Sequence, residues 1–294
     1  MYAYGRPEPI AFTPAEDGFR ARLGESPVWS ARDGVIWWVD IDGGLVCRTD
    51  PASSETQHWP TPERPGFVVL TEPEGLAVGM ETGIFRFDPA SGQFTRILAV
   101  DQPGHRFNDA TVDAAGRLWA GSMALDAAQP TGVLYCVGPD LQPRPMLDGF
   151  RTVNGLAVDS ERGRLYVSDT NRATQTAWTL PLDGVTGSLG ERRLFHDFSD
   201  LKGRPDGAAL DRDGRYWIAG VSGGELYCFA PDATLLETHP TPAEAPTKPA
   251  FFGAGLDRLC LTSKGGPEPA GAMAFSGPMA VPGRPIAPWR IGGI

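Results

Sequence analysis

The sequence predicts an all-β chain closed into a six-bladed β-propeller around a central channel, and three observations predict it. Gly and Pro are abundant, 37 and 28 of 294 residues, and eight Trp are scattered along the chain. That composition suits many short strands joined by tight turns. No window shows helix-length apolar periodicity free of Gly or Pro; the strand-like runs, such as Val35 to Val39, are short. Third, a unit recurs, more loosely in some copies, in which a turn containing Asp and Gly precedes a β-rich run that ends in small residues.

Taken in order, Arg32-Asp33-Gly34 precedes Val35 to Asp40, and Leu76 to Met80 stands alone. Asp113-Ala-Ala-Gly116 precedes Leu118 to Met123, and Glu161-Arg-Gly163 precedes Leu165 to Asp169. Asp211-Arg-Asp-Gly214 precedes Tyr216 to Val221, and Leu256-Asp-Arg258 precedes Leu259 to Ser263. Successive copies lie roughly 40 to 50 residues apart, the period of a four-stranded propeller blade. A second hairpin often follows the first, as in Gly83 to Gly92 and Gly224 to Asp232, which favours blades over the repeats of a solenoid. A ring needs its ends fastened. We expect Pro9-Ile-Ala-Phe12 from the head and Ala272-Met-Ala-Phe275 from the tail to share one composite blade, making residues 1–294 a single propeller domain.

The formal net charge of −10 argues against nucleic acid, whose phosphates would be repelled. Met1 to Ile10 lacks the apolar core of a leader, and no stretch approaches a bilayer span. The expectation is a soluble, cytoplasmic protein with no membrane partner, a monomer or weak homo-oligomer. Cys47, Cys136, Cys228 and Cys260 lie far apart with no CxxC pair and read as reduced packing residues. His58, His105, His196 and His239 show no HxH or HExxH spacing, so any metal must be held mainly by oxygen.

In a propeller, polar residues at the start of the inner strands point into a shared channel mouth. Four segments occupy that place: Leu23 to Trp29, Arg106-Phe-Asn-Asp109, Val153-Asn-Gly-Leu156 and Arg204-Pro-Asp-Gly207. Glu25, Asn154 and Asp206 together offer two carboxylates and an amide carbonyl, an oxygen half-shell with positions left open for water and substrate. The competing reading makes Asn154-Gly155 and Asp206-Gly207 ordinary turn dipeptides and Glu25 a solvated charge. Asp40, Asp42, Asp169 and Asn171 read as strand-end turn formers, with support of the mouth as the alternative. Trp29, Trp37, Trp119 and Trp217 read as packing between blades more than as a sugar-stacking surface.

These same segments resemble the regucalcin (senescence marker protein) and gluconolactonase family. The motifs that carry the resemblance are Gly24-Glu-Ser-Pro-Val-Trp29, Arg106-Phe-Asn-Asp109, Val112-Asp113, Ala120-Gly-Ser-Met123, Asn154-Gly-Leu156 and Pro205-Asp-Gly207, in family order from about Leu23 to Ser263. Gly271 to Phe275 and Ile286-Ala-Pro288 resemble its closing strand and tail. The resemblance implies one divalent cation (Ca²⁺, Zn²⁺, Mn²⁺, Mg²⁺ or Fe²⁺) on Glu25, Asn154 and Asp206. It implies substrate contacts from Arg106, Asn108 and Asp126, and Asp206 as candidate general base. The implied activity is hydrolysis of a small sugar (aldono) lactone to the aldonic acid. The rivals are a non-catalytic calcium-binding or regulatory propeller and a different metal-dependent lactonase or esterase on the same fold. Two departures stand out. Asp126 replaces a longer Glu of some relatives, and Lys248 stands where relatives often carry a small hydroxyl residue or Cys. Lys248 is expected either to place a positive charge near the mouth or to run to solvent from a loop.

Overall fold

The computed structural model describes residues 8–292. Its strands form six sheets arranged as blades around a hub, antiparallel but for one added strand, and the one helical element among the described residues is a short 3₁₀ turn at Phe198–Asp200. The first blade runs outward through Gly24–Ser30, Val35–Asp40, Leu45–Thr49 and Thr56–Pro60. The second begins at Phe67–Glu72, the third at His105–Val112, the fourth at Val153–Asp159 and the fifth at Arg204–Leu210. Each recurring run found in the sequence is the second strand of its blade, paired to the inner strand across the turn that precedes it. Inner and second strands are buried almost throughout, whereas outer strands such as Thr56–Pro60 and Gln93–Ala99 alternate with solvent. The apolar runs therefore belong near the hub and the polar alternating ones on the rim.

The sixth blade is composite, as the ring closure requires. Pro246–Phe252, Arg258–Ser263 and Ala274–Ser276 come from the tail, and Phe12–Pro14 adds the outer strand, with Phe12 opposite Ser276. The pairing head segment lies later than expected from Pro9 to Phe12. Pro9 has no N–H to give a ladder, and the Ile10 N–H is taken by His239 Nδ1 of the fifth blade at 3.1 Å. Beyond the sixth blade the tail crosses one face of the ring. Gly283 bridges Asp211, Arg284 donates to Asp159 and Glu161, and Trp289–Arg290 lies parallel to Phe67–Glu72 as a fifth strand of the second blade. Trp289 is fully buried, with its indole N–H on the Val137 carbonyl at 3.1 Å.

The two clearest copies of the repeat owe their likeness to one hydrogen-bonding device. Asp211 Oδ1 accepts from the backbone N–H of Asp213 and Arg215, while its Oδ2 accepts from Arg215 Nε at 2.6 Å and Trp217 Nε1 at 2.9 Å. Asp113 holds Ala115, Arg117 and Trp119 the same way. One carboxylate thus closes the turn and pins a fully buried Trp between blades. Both Trp are packing residues, in line with the sequence reading.

Candidate active site

The inner strands are not regular. Pairing with the second strand breaks between Glu25 and Val28, Phe107 and Ala110, Asn154 and Ala157, Pro205 and Ala208, and Pro246 and Pro249. Two residues bulge out at the same height in five of the six blades; Phe67–Glu72 of the second blade pairs without a break. A bulge re-aims side chains, and here every expected hub residue except Arg106 and Asp126 lies in one or beside one. Two bulges need left-handed backbone, φ +53° at Ser26 and +63° at Gly155. At Gly155 a Cβ would meet Tyr216 Oη at 2.5 Å and Ser168 Oγ at 2.6 Å, so glycine is required there.

Asn154 and Asp206 touch directly, the amide Nδ2 donating to Asp206 Oδ1 and, at 2.8 Å, to Thr170 Oγ1. Thr170 spends its own proton on the Pro205 carbonyl at 2.7 Å, so it faces Asn154 as an acceptor, and the amide orientation is fixed. Asn154 Oδ1 is thereby turned away, buried and without a hydrogen-bond partner. Glu25 faces the pair from the first blade, with Oε2 accepting the Ser26 N–H at 2.8 Å. Burial, then the neighbouring charge of Asp109, lifts the Glu25 carboxyl to about 7, against the pull of Lys248, Ser26 and Arg106. Asp206 is raised well above the ordinary carboxylate range by burial and by the charges of Glu25 and Asp109. Among the described residues no three His, Cys, Asp or Glu side chains form a ready cage. The hub set is two carboxylates and an amide, and a hard cation fits it. Such an ion would meet the orphaned Oδ1 and relieve the repulsion between the carboxylates.

Arg106 is buried beside this set, and burial holds its guanidinium down to about 10, so it stays charged near neutral pH. Its Nη1 donates to the Phe107 carbonyl at 2.9 Å and to Asn108 Oδ1 at 2.6 Å. Asn108 Nδ2 in turn donates to the Val153 carbonyl at 2.9 Å. Asn108 therefore braces Arg106 against the fourth blade. Asp126 is not brought to the hub. It is exposed on the loop after Leu118–Ala124, and its Oδ1 caps the Ala128 N–H at 2.9 Å.

Asp40 accepts the N–H groups of Arg22, Leu23 and Gly43, and Asp169 those of Arg151, Thr152 and Asn171. Both are the turn formers the sequence suggested, and both hold the entry to a hub strand. Lys248 does not reach solvent. It is 4% exposed, with Nζ on Asp109 Oδ1 and on the Ala110 carbonyl. Asp109 closes the Arg106-Phe-Asn-Asp109 motif, in which the resemblance gives roles to Arg106 and Asn108 alone. It accepts the Ala110 and Leu156 N–H groups at 2.8 Å each, joining the bulges of the third and fourth blades. The signal available was its place beside Asn108, yet nothing local showed that it points inward.

Comparison with known proteins agrees with the fold. The description of the SMP-30/Gluconolactonase/LRE-like region matches residues 23–265. A 6-deoxy-6-sulfogluconolactonase of Pseudomonas putida is 37% identical over 82% of this chain and 83% of its own length. A pentonolactonase of Haloferax volcanii is 31% identical over 83% and 82%. The crystal structure of a calcium-binding regucalcin from Agrobacterium tumefaciens superposes with a TM-score of 0.89 at 24% identity, covering 96% of this chain and 98% of that one.

Proposed function

The chain belongs to the SMP-30/gluconolactonase/LRE-like family, and from that premise we propose that it hydrolyses an aldonolactone with a divalent cation held by Glu25, Asn154 and Asp206. Its relatives include a hexono- and a pentonolactonase, which share the cyclic ester and differ in the sugar around it. The observation that carries the cation is the buried, unpartnered Asn154 Oδ1 beside two carboxylates raised by burial. When bound, the cation supplies Lewis-acid polarisation, several kcal/mol of transition-state stabilisation.

The chain's own groups account for the rest. Arg106 keeps Nε and Nη2 free of the bonds that orient it, a fork for the hydroxyl and carbonyl oxygens of the sugar. Asp206 Oδ1 is committed to Asn154, leaving Oδ2 to take a proton from the attacking water. The water oxygen bonds to the lactone carbonyl carbon, the ring C–O bond then breaks, and the leaving ring oxygen takes the proton back from Asp206. The product is the open hydroxy acid. General-base assistance of this kind is worth about 10²- to 10⁴-fold in rate. The test follows acid release from glucono-, galactono-, xylono- and arabinonolactone, after chelation and after metal is restored. Spontaneous ring opening is subtracted. Asp206→Ala and Glu25→Gln are each expected to lose at least about 100-fold. Undiminished rates in both variants would end the proposal.

A further inference from the structure

Lys248 occupies the hub in a way that neither the catalytic step nor the cation set uses. It belongs to the bulge of the sixth blade, one residue after Thr247, whose hydroxyl donates to the Gly24 carbonyl at 2.6 Å beside Glu25. Its stem lies on Gly207, next to Asp206: a Cβ at Gly207 would come within 2.4 to 2.8 Å of Lys248 Cβ, Cγ and Cδ. Its ammonium reaches across to Asp109 of the third blade, where side chains of both partners are 5% exposed or less. Lys248 also lines a cavity of about 270 Å³ together with Val28, Ala208, Leu210 and Ile286. Lys248 therefore borders both the polar hub and this apolar cavity, with its charge held at Asp109.

We propose that the buried Lys248–Asp109 pair sets how tightly the hub holds a divalent cation. Lys248 is the fixed positive charge that loosens the hold, and Asp109 is the fixed negative charge that balances it. This rests on the cation reading above. Water is excluded from the pair, so neither charge is screened as a surface charge would be, and each acts on an ion in the hub. The pair as a whole is neutral, so removing one member changes the local charge by a full unit. Removing both changes it hardly at all. Lys248 and Asp109 are positioning residues here, since neither touches the reacting atoms.

The experiment is calorimetric titration of chelator-treated protein with Ca²⁺ and with Mn²⁺, in wild type, Lys248→Met, Asp109→Asn and the double variant. Lys248→Met is expected to tighten binding by about ten-fold or more, and Asp109→Asn to weaken it by a similar factor. The double variant should return to within about three-fold of wild type. Lys248→Met leaves a buried carboxylate without its partner. If it fails to fold, the Asp109→Asn and double variants still decide the matter. Affinities that stay within about two-fold of wild type in every folded variant, or that move together in one direction, overturn the proposal. A wild type that binds neither ion, with Glu25→Gln indistinguishable from it, would instead remove the cation reading and this inference with it.

Discussion

Replacing Asp211 by Ala tests whether the repeated turn holds the ring together. The substitution strips four hydrogen-bond donors of their acceptor: two backbone N–H groups, Arg215 Nε and the indole of Trp217. Arg215 keeps a contact with Glu237 at 3.5 Å and has an 18% exposed side chain, so it rehydrates at small cost. Trp217 is 1% exposed and cannot reach water, and an orphaned buried donor costs about 1 to 3 kcal/mol. With the lost turn and the broken ion pair, the total is about 3 to 5 kcal/mol. At about 2 °C per kcal/mol for a chain of this size, the melting temperature should fall by about 6 to 10 °C. Differential scanning calorimetry and urea titration measure it. Lactone hydrolysis at 25 °C should be unchanged, because Asp211 lies at the far end of the inner strand from Asp206. Asp113→Ala should behave alike, since its carboxylate serves the same four kinds of donor. A loss below about 1 kcal/mol would show that the recurring Asp is a turn former and no more.

Gly155→Ala forces a side chain onto Tyr216 Oη and Ser168 Oγ in left-handed backbone, so it should cost at least about 2 kcal/mol and displace Asn154. Wild-type stability and cation affinity together would refute this. Trp289→Ala empties a fully buried site and frees the tail, with an expected loss of about 3 to 5 kcal/mol in urea titration; a loss under 1 would mean the tail is only laid on the ring. His196 packs on Phe198 and Phe229, and burial lowers its pKa below the ordinary 6.5. The unfolded chain therefore takes up the proton first as pH falls. Stability from this group is full above pH 6.5 and is lost as pH drops through the folded value. His196→Phe should flatten that part of the urea midpoint profile, and an unchanged slope would exclude His196 as its source.

The fold was legible because its signals are local. The run Asp-x-x-Gly-Arg-x-Trp, at Asp113 to Trp119 and Asp211 to Trp217, contains turn, ladder and packing residue within seven positions, and one carboxylate ties them together. The composite blade was legible as two unpartnered apolar segments, but its register was not. Phe12–Pro14 meets Ala274–Ser276 just after Ile10, whose N–H goes to His239 more than two hundred residues away. The crossing of the tail was missed for the same reason, since Trp289–Arg290 reads as a Pro- and Gly-flanked end until Phe67–Glu72 is placed beside it. At the site, the residue types of Glu25, Asn154 and Asp206 were visible in their segments. The bulges that aim them were not, because a bulge is a mismatch between two strands and leaves no fixed mark in either.

Lys248 shows what this costs a reading of sequence alone. The sequence left two places for a lysine before Pro249, a charge near the mouth or a chain running to solvent, and in a bulge of an inner strand it has only the hub to enter. Once inside, it must find a carboxylate, and Asp109 is held in place for it by two backbone N–H groups from different blades. The tail strand along Phe67–Glu72 and the Arg284 contacts to Asp159 and Glu161 cover the opposite face of the ring. On the reading proposed above, the charges that meet a substrate at the hub are those left after Lys248 and Asp109 have balanced each other.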